Sequence, residues 1–265
     1  MAVSANASPA LWRRAKLKLR NVFLRFPKNV ECNICQWSGR YMAGDQWHPR
    51  TVCWKCRSLV RHRLLVDSLR LLDGVKFKDL VDAKRVLHFS PERLTTPLFK
   101  PTASKYTTAD FLRTDTDIQL DLTNMPAVAD GSVDLLIACD VLEHVPDHIQ
   151  GMREIYRVLS PGGCAILTVP QQDRLARTQS DTSLTDPRER LRRFGQEDHV
   201  RIFGDDVVPM LEGVGYKVRV VDEKDFPADL VRRHVLFPPL LSEHPLATNH
   251  RKVFFATKRQ PKPNP

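Results

Sequence analysis

Residues 131–170 read GSVDLLIACDVLEHVPDHIQGMREIYRVLSPGGCAILTVP. The run 133–139 is apolar apart from Asp134 and too short for a helix, so it is expected as a buried strand. An acidic turn with Asp140 and Glu143 follows. Residues 149–159 then bring Met152, Ile155, Tyr156 and Leu159 onto one helical face, which suits a helix laid on a sheet. Pro161-Gly162-Gly163 predicts a turn, and 164–169 a second apolar strand. Strand, helix and strand in this order form a parallel pair with a crossover. In an open α/β sheet, ligands gather beyond the carboxyl ends of the strands, where Asp140 and Glu143 stand.

Outward from this unit, further strands are expected at 85–89, 105–109, 216–221 and 253–257, with Gly131, Gly213 and Gly215 between elements. The whole reads as a mostly parallel sheet covered on both faces. Residues 171–212 are too long, polar and charged for a simple crossover and predict an insertion over the strand ends. The expected organisation is a basic amphipathic helix in 1–30, a cysteine module in 31–57, a connecting helix and linker in 58–84, the α/β domain in 85–258, and a tail in 259–265.

The 265 residues are 42% hydrophobic and 27% charged, which excludes a disordered or fibrous chain. The net charge of +10 sits at the ends. Residues 1–30 carry seven Lys or Arg and 244–265 carry five, with no acid in either, while 31–243 is close to neutral. A basic nucleic-acid-binding body is therefore not expected, and nucleic acid is the less favoured partner. No apolar run is long enough to span a membrane, and the beginning of the chain lacks the apolar core of a secretory signal.

Four of six cysteines form the pattern CNIC-x17-CWKC, with Cys32, Cys35, Cys53 and Cys56. Two such loops complete a closed tetrahedron of soft sulfur ligands, the pattern of structural zinc. Cys139 and Cys164 read as core thiols. This usage points to a reducing compartment, hence a cytoplasmic chain. Trp37, Tyr41, Trp54, Arg40, Arg50 and Arg57 mix aromatic and basic groups in the module. They are expected to complete a small core, with nucleic-acid contact as the alternative.

On a helical wheel of 10–28, Leu11, Trp12, Ala15, Leu19, Val22, Phe23 and Phe26 share one arc, and six basic residues lie outside it. Two readings stand: peripheral contact at the inner membrane surface, mainly through 10–26, or docking on the chain's own domain. A targeting presequence is a third.

The central segment resembles the class I S-adenosylmethionine-dependent methyltransferases (type 11-like), over roughly residues 85–258. More narrowly the chain resembles a bacterial subfamily with an N-terminal double-CxxC ribbon. Three further stretches carry that likeness: RHRLL at 61–65, VLHFSPE at 86–92, and the block 185–204, TDPRERLRRFGQEDHVRIFG. The resemblance implies a Rossmann-like doubly wound sheet and S-adenosylmethionine as cofactor. The first loop, His88-Phe89-Ser90-Pro91-Glu92, departs from the usual glycine-rich form. It implies either a lost cofactor site or a rebuilt one in which Glu92 takes the ammonium group. By the same resemblance, Asp110, followed by Phe111, binds the ribose hydroxyls. Asp121 and Leu122 hold adenine, and Asp140, Val141 and Leu142 line the methionine end.

Methyl transfer requires alignment of donor and acceptor and, for some acceptors, removal of a proton. Histidine suits the second task. His199 is the first candidate for base or substrate ligand, with His144 as the second and Arg201 as a partner for an anionic substrate. The expected activity is methyl transfer to oxygen or nitrogen of a small-molecule or glycan-type acceptor. The alternatives are an RNA methyltransferase gripping RNA through the ribbon, and a non-catalytic scaffold of the same fold.

Overall fold

The computed structural model describes residues 29–44 and 48–260. The helix expected over 10–28 and most of the tail lie outside the described residues.

The cysteine module opens with β1 (Val30–Glu31) and β2 (Ser38–Gly39), an antiparallel pair with the first CxxC between its strands. Helix α1 (Val60–Leu71) follows the second CxxC, close to the helix expected in the connecting segment, and α2 (Phe77–Leu80) is a single turn. The domain then runs β3 (Arg85–Phe89), α3 (Thr96–Phe99), β4 (Lys105–Asp110), β5 (Ile118–Gln119), β6 (Val133–Cys139), α4 (His148–Val158) and β7 (Leu159–Thr168). It continues through β8 (Gln179–Ser180), α5 (Pro187–Phe194), β9 (Arg201–Ile202), α6 (Val207–Val214), β10 (Tyr216–Val221), α7 (Ala228–His234) and β11 (Val253–Lys258).

Seven strands form one sheet in the order β10-β11-β7-β6-β3-β4-β5. The strands from β7 to β5 pair in parallel. β11 slots antiparallel between β7 and β10. The expected Rossmann-like doubly wound sheet is therefore present, with one reversed strand.

Strand alternation divides the core. Leu135 and Ile137 of β6 face α1, packing with Leu64, Leu65, Leu69 and Phe99. Leu136 and Ala138 face α4 and α6, packing with Met152, Ile155, Val207 and Leu211. α6 closes the stretch expected as an insertion, yet it covers the sheet. The segment that reaches over the strand ends is the part before it.

Two local readings shift. Asp147 caps α4 by accepting from the Gln150 N–H, and the helix stops at Val158. Leu159 already pairs with Val133 as the first residue of β7. The expected Pro-Gly-Gly turn lies within β7 as a bulge, since pairing jumps from Val133↔Leu159 to Leu135↔Cys164. α5 follows its sequence signals closely: Asp186 caps it, Pro187 opens it, and Gly195 closes it at φ 86°.

Arg63 ties the cysteine module to the domain. Its side chain is fully buried. It donates to the carbonyls of Thr51, Ser58, His234 and Val235, at 2.6 to 3.0 Å. No carboxylate touches it among these bonds, so its charge needs an anionic neighbourhood. Replacement by Met orphans four carbonyls and is expected to cost on the order of 3 kcal/mol or more. Arg63→Lys is not expected to restore this, because an ammonium lacks the planar fork. Urea unfolding midpoints measure both; an unchanged midpoint for Arg63→Met contradicts the assignment.

Candidate functional site

Asp140 directly follows β6 and is a non-glycine residue at φ 51°. Its backbone N–H donates to Thr168 O at the end of β7. Its carboxylate accepts from Thr168 Oγ1 at 2.7 Å and from Arg251 Nη2 at 2.7 and 3.0 Å. Arg61 Nε stands 2.8 Å from the other side. Arg61 also grips Glu92 with both terminal nitrogens, at 2.9 and 2.7 Å. His62 Nδ1 accepts the Leu59 N–H, which leaves its proton on Nε2, 2.9 Å from Glu92 Oε1.

These contacts set the charges. Burial alone would raise Asp140, but Arg251 and then Arg61 hold its carboxyl well below the ordinary range. Burial would likewise raise Glu92, yet the bonds from His62 and Arg61 bring it down to about 2. Glu143 goes the other way. It is buried, its Oε2 has no hydrogen-bond partner, and burial followed by the charge of Asp140 pushes its carboxyl well up.

A cavity of about 450 Å³ opens beside this network. Asp140, Glu143, His144, Arg61 and Arg251 line it. The segment over the strand ends contributes Phe194, Gln196 and His199, and the cysteine module contributes His48 and Thr51. The module is therefore a wall of the cavity. Such a volume suits a small ligand.

The expected cofactor residues surround the same strand ends, but of these only Asp140 lines the cavity. The first loop turns without glycine because Ser90 adopts φ 45°. Ser90 Oγ donates to Asp110 Oδ2 at 2.8 Å, and the Leu112 and Arg113 N–H groups donate to Oδ1, each at 2.9 Å. Arg113 Nη1 reaches back to Pro91 O at 3.0 Å. Phe111 is 65% exposed beside them. Asp121 accepts from Thr123, and Leu122 is buried. Val141 and Leu142 are buried in the core. His88 turns into the sheet, with Nδ1 2.7 Å from the Tyr106 hydroxyl, and burial lowers it to about 4. Phe89 is core.

The two candidate catalytic histidines meet. His144 and His199 stack edge to face at 4.7 Å, although 55 positions apart in sequence. Arg201 is fully buried and spends its terminal nitrogens on the carbonyls of Leu142, Val145 and Pro146. It braces the loop carrying Glu143 and His144, which differs from the expected contact with an anionic substrate. Arg251 and the pairing role of Arg61 were not legible from the sequence, since neither lies near Asp140 or Glu92 along the chain.

The sulfur atoms of Cys32, Cys35, Cys53 and Cys56 lie within 4.8 Å of one another. Two of the separations are 3.6 Å, close to the ~3.8 Å edge of a tetrahedron with ~2.3 Å zinc–sulfur bonds. The module's core is Cys32, Met42, Cys53 and Val235. Tyr41 and Trp54 do not complete it; they are 51% and 53% exposed and pack edge to face.

Because Glu92 titrates at about 2 rather than 4.5, its contribution to stability is present above pH ~4.5 and is lost as pH falls towards 2. Its size is on the order of 2–3 kcal/mol. Glu92→Gln is expected to lower stability at pH 6, by a difference from wild type that shrinks as the pH falls towards 2.5. Urea unfolding from pH 6 to pH 2.5 measures this, and a pH-independent difference contradicts it.

Residues 79–167 match the family of methyltransferase domains. No curated protein matches the sequence. Among solved structures, the [4+2]-cyclase SpnF aligns over 92% of this chain and 93% of its own, at 13% identity and a TM-score of 0.50. The YcgJ protein of Bacillus subtilis aligns over 76% and 100%, at 16% identity and TM-score 0.49. An S-adenosylmethionine-dependent methyltransferase of Mesorhizobium loti aligns over 67% and 92%, at 18% and 0.45. The strand order and the reversed β11 give the class I, Rossmann-like fold, and residues 79–167 within it resemble the family of methyltransferase domains.

Proposed function

We propose that the chain transfers a methyl group from S-adenosylmethionine to oxygen or nitrogen of a small-molecule or glycan-type acceptor. The observation that carries this reading is the cavity at the end of β6, where acids, two arginines and a histidine pair converge. The fold alone is shared with a cyclase, so the reading rests on the site.

The donor set fits the cofactor. A methionyl group is a zwitterion, and Glu92 or Asp140 takes an ammonium while Arg61 takes a carboxylate, each by exchanging an internal ion pair for one with the ligand. Asp110 Oδ2 accepts one hydrogen bond, from Ser90, and keeps capacity for a ribose hydroxyl. Asp121 and Leu122 serve the adenine, and Val141 and Leu142 back the methionine end. The cofactor would supply an electrophilic methyl group on a sulfonium sulfur. The chain's own residues align the acceptor, exclude water and handle its proton. His199 is buried and its basicity is lowered by that burial and by His144, which favours a neutral imidazole whose lone pair serves the acceptor as base or as ligand. His144 stands beside it.

The cavity's size favours a small acceptor over an extended RNA. The four cysteines hold a structural zinc ion in this reading, and the buried Arg63 supplies the positive charge that four thiolates on one divalent ion require. The zinc fixes the wall of the cavity that carries His48 and Thr51.

Calorimetric titration with S-adenosylhomocysteine is expected to show micromolar binding, weakened at least tenfold by Glu92→Ala and by Asp110→Ala. No binding by the folded, zinc-containing protein contradicts methyl transfer and favours the scaffold alternative. Metal analysis of protein purified without added metal is expected to return one zinc per chain, and Cys53→Ser is expected to lose it. Retention of the zinc in that variant contradicts the assignment.

A further inference from the structure

Glu143, His144 and His199 each offer one ligand atom, these three atoms lie within 4.8 Å of one another, and all three residues line the cavity. Each histidine has one ring nitrogen engaged by oxygen. His199 Nδ1 is 3.1 Å from the Phe194 carbonyl, and His144 Nδ1 is 3.3 Å from Asp198 Oδ2. The N–H that His199 Nδ1 donates to that carbonyl leaves Nε2 with a free lone pair, and a neutral His144 with its proton towards Asp198 is held the same way. That is how metal-ligating histidines are held, with the outer oxygen fixing tautomer and ring orientation. Glu143 supplies the third group, and its Oε2 is buried with no hydrogen-bond partner among the described residues. An orphaned buried carboxyl oxygen in a group with two imidazoles calls for a counterpart.

The scaffold is rigid where this requires it. Arg201 binds three carbonyls of the loop that carries Glu143 and His144. The Val200 N–H donates to Glu143 O at 3.0 Å, which locks that loop to the residue following His199. Preorganised ligands of this kind do not have to be gathered by the ion.

We propose that Glu143, His144 and His199 form a divalent-cation site that binds the methyl acceptor through oxygen. Two imidazoles and one carboxylate leave about three positions open on a six-coordinate ion. Those positions face the cavity and suit a hydroxyl, or two adjacent hydroxyls chelating the ion. The cation site stands on its own geometry; only the naming of its ligand as the acceptor rests on the methyl-transfer reading. The ion is of the Fe²⁺ or Mn²⁺ type, distinct from zinc in the thiolate cluster, because two imidazoles and one carboxylate with open positions suit such first-row dications rather than Mg²⁺.

The full-length, zinc-containing protein titrated with Mn²⁺ alone, with free Mn²⁺ followed by electron paramagnetic resonance, tests this. One Mn²⁺ per chain is expected to bind, and pulsed spectra are expected to show histidine nitrogen coupling. His199→Ala and the isosteric Glu143→Gln are each expected to weaken binding at least tenfold, with unchanged near-ultraviolet circular dichroism reporting an intact fold. His144→Ala, at a partly exposed position, provides a third variant. Absence of stoichiometric Mn²⁺ binding, or binding that all three variants retain, overturns the site. S-Adenosylhomocysteine titration beside it separates the two claims. Lost homocysteine-nucleoside binding with Mn²⁺ intact defeats the methyl-transfer reading only; the reverse defeats the cation site only.

Discussion

The carboxylate of Asp140 is tied down by Thr168, Arg251 and Arg61. A carboxylate removed from water at a sheet end has to be met by charge and hydrogen bonds, because an uncompensated one costs several kcal/mol. The two cations that meet it come from outside the strand–helix–strand unit. Arg61 lies on α1, before the sheet begins, and Arg251 immediately precedes β11, the last strand to enter it. One half-buried charge thus fastens both ends of the domain to the middle. Arg61 extends the network to Glu92 and so positions the glycine-free first loop. Asp140 itself holds a left-handed backbone that most side chains avoid, and asparagine and aspartate tolerate it best.

The cavity follows from these ties. α1 brings the cysteine module with it, because Arg63, two positions after Arg61, is bound to carbonyls on both sides. His48 and Thr51 then have only one place to go, above the end of β6. On the far side, Arg201 fixes the loop after β6 to the segment that carries His199. The cavity is therefore assembled from separate stretches of chain, held together by arginines and ion pairs.

The sheet was legible because its strands are short apolar runs of the right length, each followed by a turn signal. β3, β6 and β10 fall where periodicity puts them. The bulge at 160–163 was read as a turn because Pro-Gly-Gly breaks regular pairing in either case, and only the partner strand reveals that pairing resumes. The reversed β11 carries no mark of its direction. In the site, Cys32 to Cys56 and the histidine pair were legible as residue types that carry chemistry. The arginines were not. Arg61, Arg63, Arg201 and Arg251 resemble any surface cation in sequence, and their burial depends on acceptors that are remote along the chain. Tyr41 and Trp54 were read as filling a small core, yet Val235 from the domain fills it, leaving the aromatic pair half exposed.

The central claim is that the ends of β3, β4 and β6 bind an S-adenosyl ligand. Hydrogen–deuterium exchange with and without S-adenosylhomocysteine tests it most directly, because it reads the three loops separately. The account predicts slower exchange at residues 90–92, 111–113 and 140–144, with α7 unchanged. Exchange that is identical with and without the ligand, or protection confined to segments away from these strand ends, would contradict it.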